Sequence, residues 1–275
     1  MQNIFLGPAG VATVSKSSST LDGVRAVSEL GLNAMEVEFV RGVKMKPDLA
    51  EEVGSLAKEL GIHLTVHSPF YINLNSQKKQ IIEASKRMII DSADRGERMG
   101  ASAVAIHAAY YSGFTPQQTF DKVRQGFQEI LDDLKGKGIK NVKLGVETMG
   151  RWSQFGSLDE AIGMWNEFNG KVVPIIDWSH LYVRGKGAID YAKVFDALRP
   201  LKLDHIYSHF QNVARNKKGE WVDVHVPING HPPFEPLAEE ILRRKVNITV
   251  ICESPIIEQD SLKMKKIVER LGHRF

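Results

Sequence analysis

The chain of 275 residues has one cysteine, Cys252, so no disulfide can form within it and nothing points to an oxidising compartment. It has no apolar run near the roughly 20 residues that a membrane-crossing helix needs. The opening residues, MQNIFLGPAG, lack the basic-then-apolar pattern of a secretory signal, and a cytoplasmic protein is expected. Neither sign of charge dominates: 36 Lys and Arg stand against 33 Asp and Glu, a formal net charge of +3. That balance permits a polyanionic partner without requiring one. No low-complexity tract or Pro/Gly/Ser-rich linker divides the chain, and one domain over 1–275 is expected. The short SKSSST stretch (15–20) reads as a loop closing on a helix cap at Thr20 or Asp22. A G-x-G-x-x-G or G-x-x-x-x-G-K-[S/T] loop is also missing, which counts against a doubly wound nucleotide-binding sheet.

What is present is a regular alternation. Eight short β-branched runs recur: NIFLG (3–7), AMEVEF (34–39), HLTVH (63–67), AVAIH (103–107), VKLGVE (142–147), VPIID (173–177), HIYSH (205–209) and ITVICE (248–253). Between them lie stretches with helical periodicity, among them 49–61, 81–100, 120–138 and 234–245. Gly31, Gly61, Gly100 and Gly138 stand where helices tend to end. Strands alternating with helices imply a parallel sheet, and eight such units in this length suit an α/β fold of the (β/α)8 TIM-barrel type.

The strands share one kind of ending. Strands three to eight finish at His67, His107, Glu147, Asp177, His209 and Glu253, each a residue that binds metals or moves protons. In a (β/α)8 barrel these ends converge on the face that carries active sites. His180 follows Asp177 by three residues, and Asp223 and His225 form an Asp-x-His pair after strand seven. A lone histidine at a strand end is usually a hydrogen-bonded structural residue, but no packing need explains six endings in succession. Imidazole and carboxylate without thiolate suit zinc, manganese or iron. Nine ligands are too many for one ion and serve two or three, and several dications offset the repulsion among four carboxylates at one mouth. His63 and His205 open their strands at the far end, and neither they nor His231 is expected to act. Trp152 and Trp178 flank ligand strands and are expected to pack.

On these residues the chain resembles the endonuclease IV family, metal-dependent apurinic/apyrimidinic endonucleases of base-excision repair. The likeness runs through HSPFYINL (67–74), AIHAAY (105–110), VETMGRWSQFGSLDE (146–160), IIDWSHLYVRG (175–185), SHFQN (208–212), VDVH (222–225) and CESP (252–255). All nine ligand positions carry the expected residue type. The resemblance implies a trinuclear site, usually zinc, with manganese possible at one position. His67 and His107 would hold one ion; Asp177, His209 and Glu253 a second, with Glu147 bridging the two; His180, Asp223 and His225 a third. It implies that a hydroxide shared by the first two ions attacks the phosphate 5′ to an abasic sugar, leaving 3′-OH and 5′-deoxyribose-phosphate ends. Glu147 and Glu253 are the catalytic acids so implied, Glu253 orienting or deprotonating the nucleophile. The chain departs from the family pattern at Gly150-Arg151-Trp152-Ser153, at Phe210-Gln211-Asn212, at Val224, at Ile228-Asn229-Gly230-His231 and in a shortened loop over 39–48.

The implied partner is double-stranded DNA carrying abasic sites, with no membrane and no obligate protein partner. Phe70 and Tyr71 stand where the family places side chains that wedge into DNA. Arg41, Lys44 and Lys46, Arg151, Arg184 and Lys186, and Arg215, Lys217 and Lys218 lie on loops after strands, where they could grip phosphates. Trp152 could also touch the abasic sugar. Lys263, Lys265, Lys266 and Arg270 lie on a helix face and are expected only to solvate. Two other readings stand beside this one. A sugar isomerase or epimerase on a similar barrel uses fewer ligands and would leave His67, His107 and the Asp223/His225 pair without a role. A non-catalytic DNA-binding relative would have no need of the intact ligand set.

Overall fold

The computed structural model describes residues 2–275. The β-branched runs become eight strands: β1 (Ile4–Pro8), β2 (Ala34–Glu38), β3 (His63–His67), β4 (Ala103–Ile106), β5 (Lys143–Glu147), β6 (Val172–Asp177), β7 (Ile206–Phe210) and β8 (Ile248–Cys252). All pair in parallel in the ring order β1-β8-β7-β6-β5-β4-β3-β2. The seam between β1 and β2 is closed by a single parallel bridge, Ala9 to Glu36. Two features make that closure possible. A Cβ on Gly7 would sit 1.6 Å from the Ala34 carbonyl oxygen, so only glycine lets β1 approach β2. The Asn33 side chain then stands in for missing ladder bonds, donating to the Ile4 carbonyl at 2.9 Å and accepting from the Leu6 N–H at 2.7 Å.

Among the described residues nine α-helices cover the barrel: α1 (Thr20–Glu29), α2 (Pro47–Leu60), α3 (Lys79–Met99), α4 (Pro116–Gly136), α5 (Leu158–Glu167), α6 (Trp178–Arg184), α7 (Tyr191–Leu198), α8 (Glu235–Arg244) and α9 (Glu258–Arg270). Their apolar stripes meet the outer faces of the strands in one continuous core. Local chemistry sets their ends. Thr115 with Gln118 and Ser157 with Glu160 form capping boxes on α4 and α5. Gly61 and Gly100 close α2 and α3 in the left-handed region. The cap of α1 corrects the expectation of Thr20 or Asp22: it is Ser19, whose hydroxyl accepts from the Asp22 N–H. Among the described residues no helix is long and apolar enough to cross a membrane.

Strand alternation sorts the barrel interior into layers, because residues two apart share a face. On β3 the inward set is His63, Thr65 and His67; on β7 it is Tyr207 and His209, with His205 just before the strand. At the bottom, Phe5 stacks on His63 with ring centres 4.2 Å apart, and His205 Nε2 lies 2.8 Å from the Thr249 hydroxyl. Burial in this layer lowers both His63 and His205 to about 4, so both are neutral plugs. At the top, the same alternation delivers the strand-end acids and histidines to one mouth.

Candidate metal centre

Glu147 is the hub. It ends β5 fully buried, and four imidazoles face its two oxygens. His67 Nε2 and His107 Nε2 each lie 3.2 Å from Oε2, His209 Nδ1 lies 3.5 Å from Oε2, and His180 Nδ1 lies 3.2 Å from Oε1. Asp177 and His180 owe their place to one junction. Strand β6 runs straight into α6, so Asp177 is both the last strand residue and the helix cap, its Oδ1 accepting from the His180 N–H at 2.6 Å. The D-x-x-H spacing therefore turns His180 back over the barrel mouth. Asp223 and His225 arrive on an antiparallel hairpin, Asn212–Arg215 with Trp221–Val226, that folds over the mouth after β7. Glu253 follows the last residue of β8, with its Oε1 3.4 Å from His209 Nδ1.

Each of four imidazoles is fixed through one nitrogen, leaving the other for the centre. His67 Nδ1 donates to the Ser68 carbonyl at 2.7 Å. His180 Nδ1 donates to the Thr148 carbonyl at 2.9 Å, which aims Nε2 at Asp223, 3.1 Å away. His225 Nδ1 donates to the Glu253 carbonyl at 3.0 Å, which aims Nε2 at the same Asp223 oxygen, 3.4 Å away. His209 Nε2 donates to Glu36 Oε2 at 3.2 Å, which aims Nδ1 at Glu147 and Glu253. Fixing one imidazole nitrogen so that the other can ligate is the usual arrangement around a metal.

The residues fit divalent cations on two counts. Glu147 Oε1, His107 Nε2 and His209 Nδ1 are buried with no hydrogen-bond partner, a cost that a ligand bond removes. Ligand atoms also gather within 4.8 Å of one another in overlapping sets: His67, Glu147 and His209; Glu147, Asp177 and His180; Glu36, His209 and Glu253; and, towards the hairpin, His180, Asp223 and His225. The buried His, Glu and Asp groups can therefore hold metal.

The electrostatics of the protein alone tell the same story. Burial works against charge on His67, yet Glu38 and Glu147 beside it raise it to about 10. Burial likewise opposes His225, but Asp223 and Glu253 bring it to about 9. His180 and His209 are held well above the ordinary histidine value against their burial, chiefly by Asp177 and by Glu36 respectively. Burial raises Asp177 to about 6 despite His180. Glu147 is driven well below the ordinary range, its burial outweighed by His107 and His209. Without cations, the imidazoles take up protons to neutralise the carboxylates.

Sequence reasoning missed Glu36 and Glu38. Both point inward from β2, two residues apart. Glu36 is 2% exposed, accepts from the Thr65 hydroxyl at 2.9 Å and orients His209. Burial raises Glu38 to about 8, and one of its oxygens has no partner. It lines a cavity of about 330 Å³ at the mouth together with His67, His107, His180, His225 and Glu253. The signal was the alternation of AMEVE, where two acids occupy the face that should enter the barrel.

Around the mouth, Phe70 and Tyr71 are half exposed and pack edge to face. Arg41, Lys44, Lys46, Lys186, Arg215, Lys217 and Lys218 are exposed. Arg151 is exposed too, with Nε 3.8 Å from Asp223. Arg184 is otherwise engaged: its guanidinium donates to the carbonyls of Met149, Arg151 and Gln154 at 3.2–3.3 Å and so holds the loop after β5. Trp178 packs as expected, fully buried against Tyr191 and Phe195. Trp152 does not: it is 65% exposed, with the Arg184 guanidinium 5.0 Å from its ring.

Known proteins place this fold. An uncharacterized protein of Methanocaldococcus jannaschii is 31% identical over 277 aligned positions, 98% of each chain. A probable endonuclease 4 of Staphylococcus carnosus is 28% identical, covering 78% of this chain and 74% of its own. The crystal structure of endonuclease IV from Thermus thermophilus superposes with a TM-score of 0.72 at 18% identity over 98% of each chain. A D-tagatose 3-epimerase-like protein superposes at 0.70, also at 18% identity, over 96% of each. The fold is thus shared by nucleases and epimerases alike, and the match of residues 24–271 to the family model gives its name: the chain belongs to the xylose isomerase-like TIM barrel family.

Proposed function

We propose that this protein is a metal-dependent hydrolase of DNA phosphodiesters that cuts 5′ to abasic sites, using three divalent cations, zinc foremost. The observation that carries the reading is a second set, His180, Asp223 and His225, which meets the set around Glu147 and Asp177 only through His180 and has two imidazoles held in ligating orientation by backbone carbonyls. An isomerase or epimerase working with one ion leaves that second set idle. A phosphodiester hydrolase uses it, because attacking and leaving oxygens both need stabilising.

In this reading His67 and His107 hold one ion, Asp177, His209 and Glu253 a second, Glu147 both, and the hairpin-side set the third. When bound, the cations supply Lewis acidity for the phosphate and lower the pKa of water at the site. The protein's own groups do the rest. Glu147 fixes the spacing between the two inner sets. Gln211 Nε2 donates to Asp177 at 3.0 Å and keeps that carboxylate facing inward. Glu253, largely buried at the mouth beside His209, orients the nucleophilic water or takes its proton. Phe70 and Tyr71 stand at the rim as candidate wedges, and Arg41, Arg151 and Lys186 as phosphate contacts.

The test is incision of a duplex carrying one tetrahydrofuran abasic analogue, by the metal-loaded protein beside the Glu147→Gln variant. The analogue cannot undergo β-elimination, so a lyase gives no product. A cut leaving a 3′-OH end, lost in the variant, is expected. Full metal occupancy without a cut would overturn the reading in favour of a sugar substrate.

A further inference from the structure

Beside the metal centre lies a second and larger concavity of about 750 Å³. Its walls are the loop after β5, the end of α6 and the hairpin over 212–226, and it includes Arg151, Trp152, Lys186, Arg215, Trp221 and Asp223. Asp223 is the wall shared with the centre, since its other contacts are His180 and His225. Asp223 lines both this concavity and the cavity at the metal centre, so the two adjoin.

The lining has a definite chemistry. Trp152 is 65% exposed, a large apolar surface left in water at the lip. It is not left loose, because Arg184 faces its ring and clamps the carbonyls on either side of it. Trp221 is set edge-on to Tyr182 at 5.0 Å, with the Arg215 guanidinium 4.4 Å from its ring. Arg151, Lys186 and Arg215 bring three cations to the same wall, against the carboxylates of Asp223 and Glu220. Exposed aromatic faces among cations are the pairing that binds a flat ring attached to phosphate. The volume lies within the range of ligand pockets and exceeds what a baseless sugar phosphate fills. Two of the segments in which the chain departs from the endonuclease IV pattern, Gly150-Arg151-Trp152 and Val224, both lie on this wall.

We propose that this cavity receives a nucleotide that keeps its base, unstacked from its strand, with the base on Trp152 and its phosphate among Arg151, Lys186 and Arg215. The substrate is then one in which a base-bearing nucleotide lies next to the phosphate at the metals. This rests on the reading of the metal centre as a site for nucleic-acid phosphate, and it adds a subsite for an intact nucleotide.

The test compares two ligands of equal charge on the metal-loaded protein by calorimetry: deoxyadenosine 5′-monophosphate and 2-deoxyribose 5-phosphate. The nucleotide is expected to bind about tenfold or more tightly, as one stacked base contributes, and Trp152→Ala is expected to remove that preference. Phe275→Ala, an exposed aromatic that does not line this cavity, is expected to keep it. Equal binding of the two ligands, a preference unchanged by Trp152→Ala, or tighter binding of glucose 6-phosphate than of the nucleotide would each overturn the proposal. Incision of the abasic duplex by the same preparations separates the two claims. Cutting without a base preference overturns the nucleotide subsite alone; a Trp152-dependent preference without cutting supports the subsite and overturns the hydrolase reading.

Discussion

Glu36 and His209 form a buried pair in the middle of the barrel, a Glu36 carboxylate oxygen 3.0 Å from His209 Nε2 and both side chains 2% exposed. The pair fixes which imidazole nitrogen is left for the metal centre. Glu36→Leu frees that ring and removes the charge that favours its ligating orientation. A loss of about 10- to 100-fold in affinity for the ion at His209 is expected, as for other carboxylates that support a ligating histidine. Competition with a chelating dye measures it, with circular dichroism to show that the fold survives. An unchanged affinity would remove Glu36 from any role at the centre.

Metal binding should release protons. In the ion-free protein His67 and His225 are raised to about 10 and about 9, so both are charged at neutral pH, and only neutral imidazole can ligate. Zinc must displace those protons, and its affinity should rise with pH up to about 9–10 and then level off. Calorimetry in buffers of different ionisation enthalpy reads the proton count. The same shifts set the stability of the ion-free protein. Both histidines have folded values above the unfolded one, so their contribution is complete below about pH 6.5 and is lost as pH rises through 9 to 10. Zinc binding with no proton release at pH 7 would contradict this.

The bottom of the barrel should respond to pH in the opposite direction. His63 and His205 are held down to about 4 by burial, so the unfolded chain binds protons that the folded chain refuses. Stability is then fully present above about pH 6.5 and falls as pH drops towards 4, on the order of 1.4 kcal/mol per unit of separation for each ring. His63→Gln should flatten the melting temperature against pH in that window. A variant whose acid dependence matches wild type would show that the loss comes from elsewhere.

Gly7→Ala tests the seam. Its Cβ would lie 1.6 Å from the Ala34 carbonyl oxygen, so β1 must leave β2 or both must shift. A destabilisation of about 3 kcal/mol or more is expected, at the upper end for overpacking, read as a fall in the unfolding midpoint. A midpoint equal to wild type would mean that the seam is not needed for stability.

The sequence was most legible where a period was long or a chemistry was repeated. The run HLTVH at 63–67 became β3 with the same bounds, since β-branched alternation between Gly61 and a polar loop leaves little else for it to be. The alternation of strands and helices carried the barrel. The strand-end acids and histidines stood out because six occurred in register, and the structure brings all of them, with His180, Asp223 and His225, to one mouth. Glu36 and Glu38 were hidden because an acid inside a strand reads as a solvent-facing residue unless the strand is known to be inward on that face. Ser19 was passed over as cap because four neighbouring residues offer the same hydroxyl chemistry. Arg184 and Trp152 could not be read from sequence at all: which cation is spent on loop carbonyls, and which indole stays bare, depends on how the loop after β5 is held in three dimensions.

The most direct test of the three-ion hydrolase is a crystal of zinc-loaded protein with anomalous scattering measured on both sides of the zinc edge. Three peaks are predicted: one between His67, His107 and Glu147, one between Glu147, Asp177, His209 and Glu253, and one among His180, Asp223 and His225. A single peak at Glu147, Asp177, His209 and Glu253, with the other two sets empty at saturating zinc, would contradict it and identify the centre as that of a one-metal sugar enzyme.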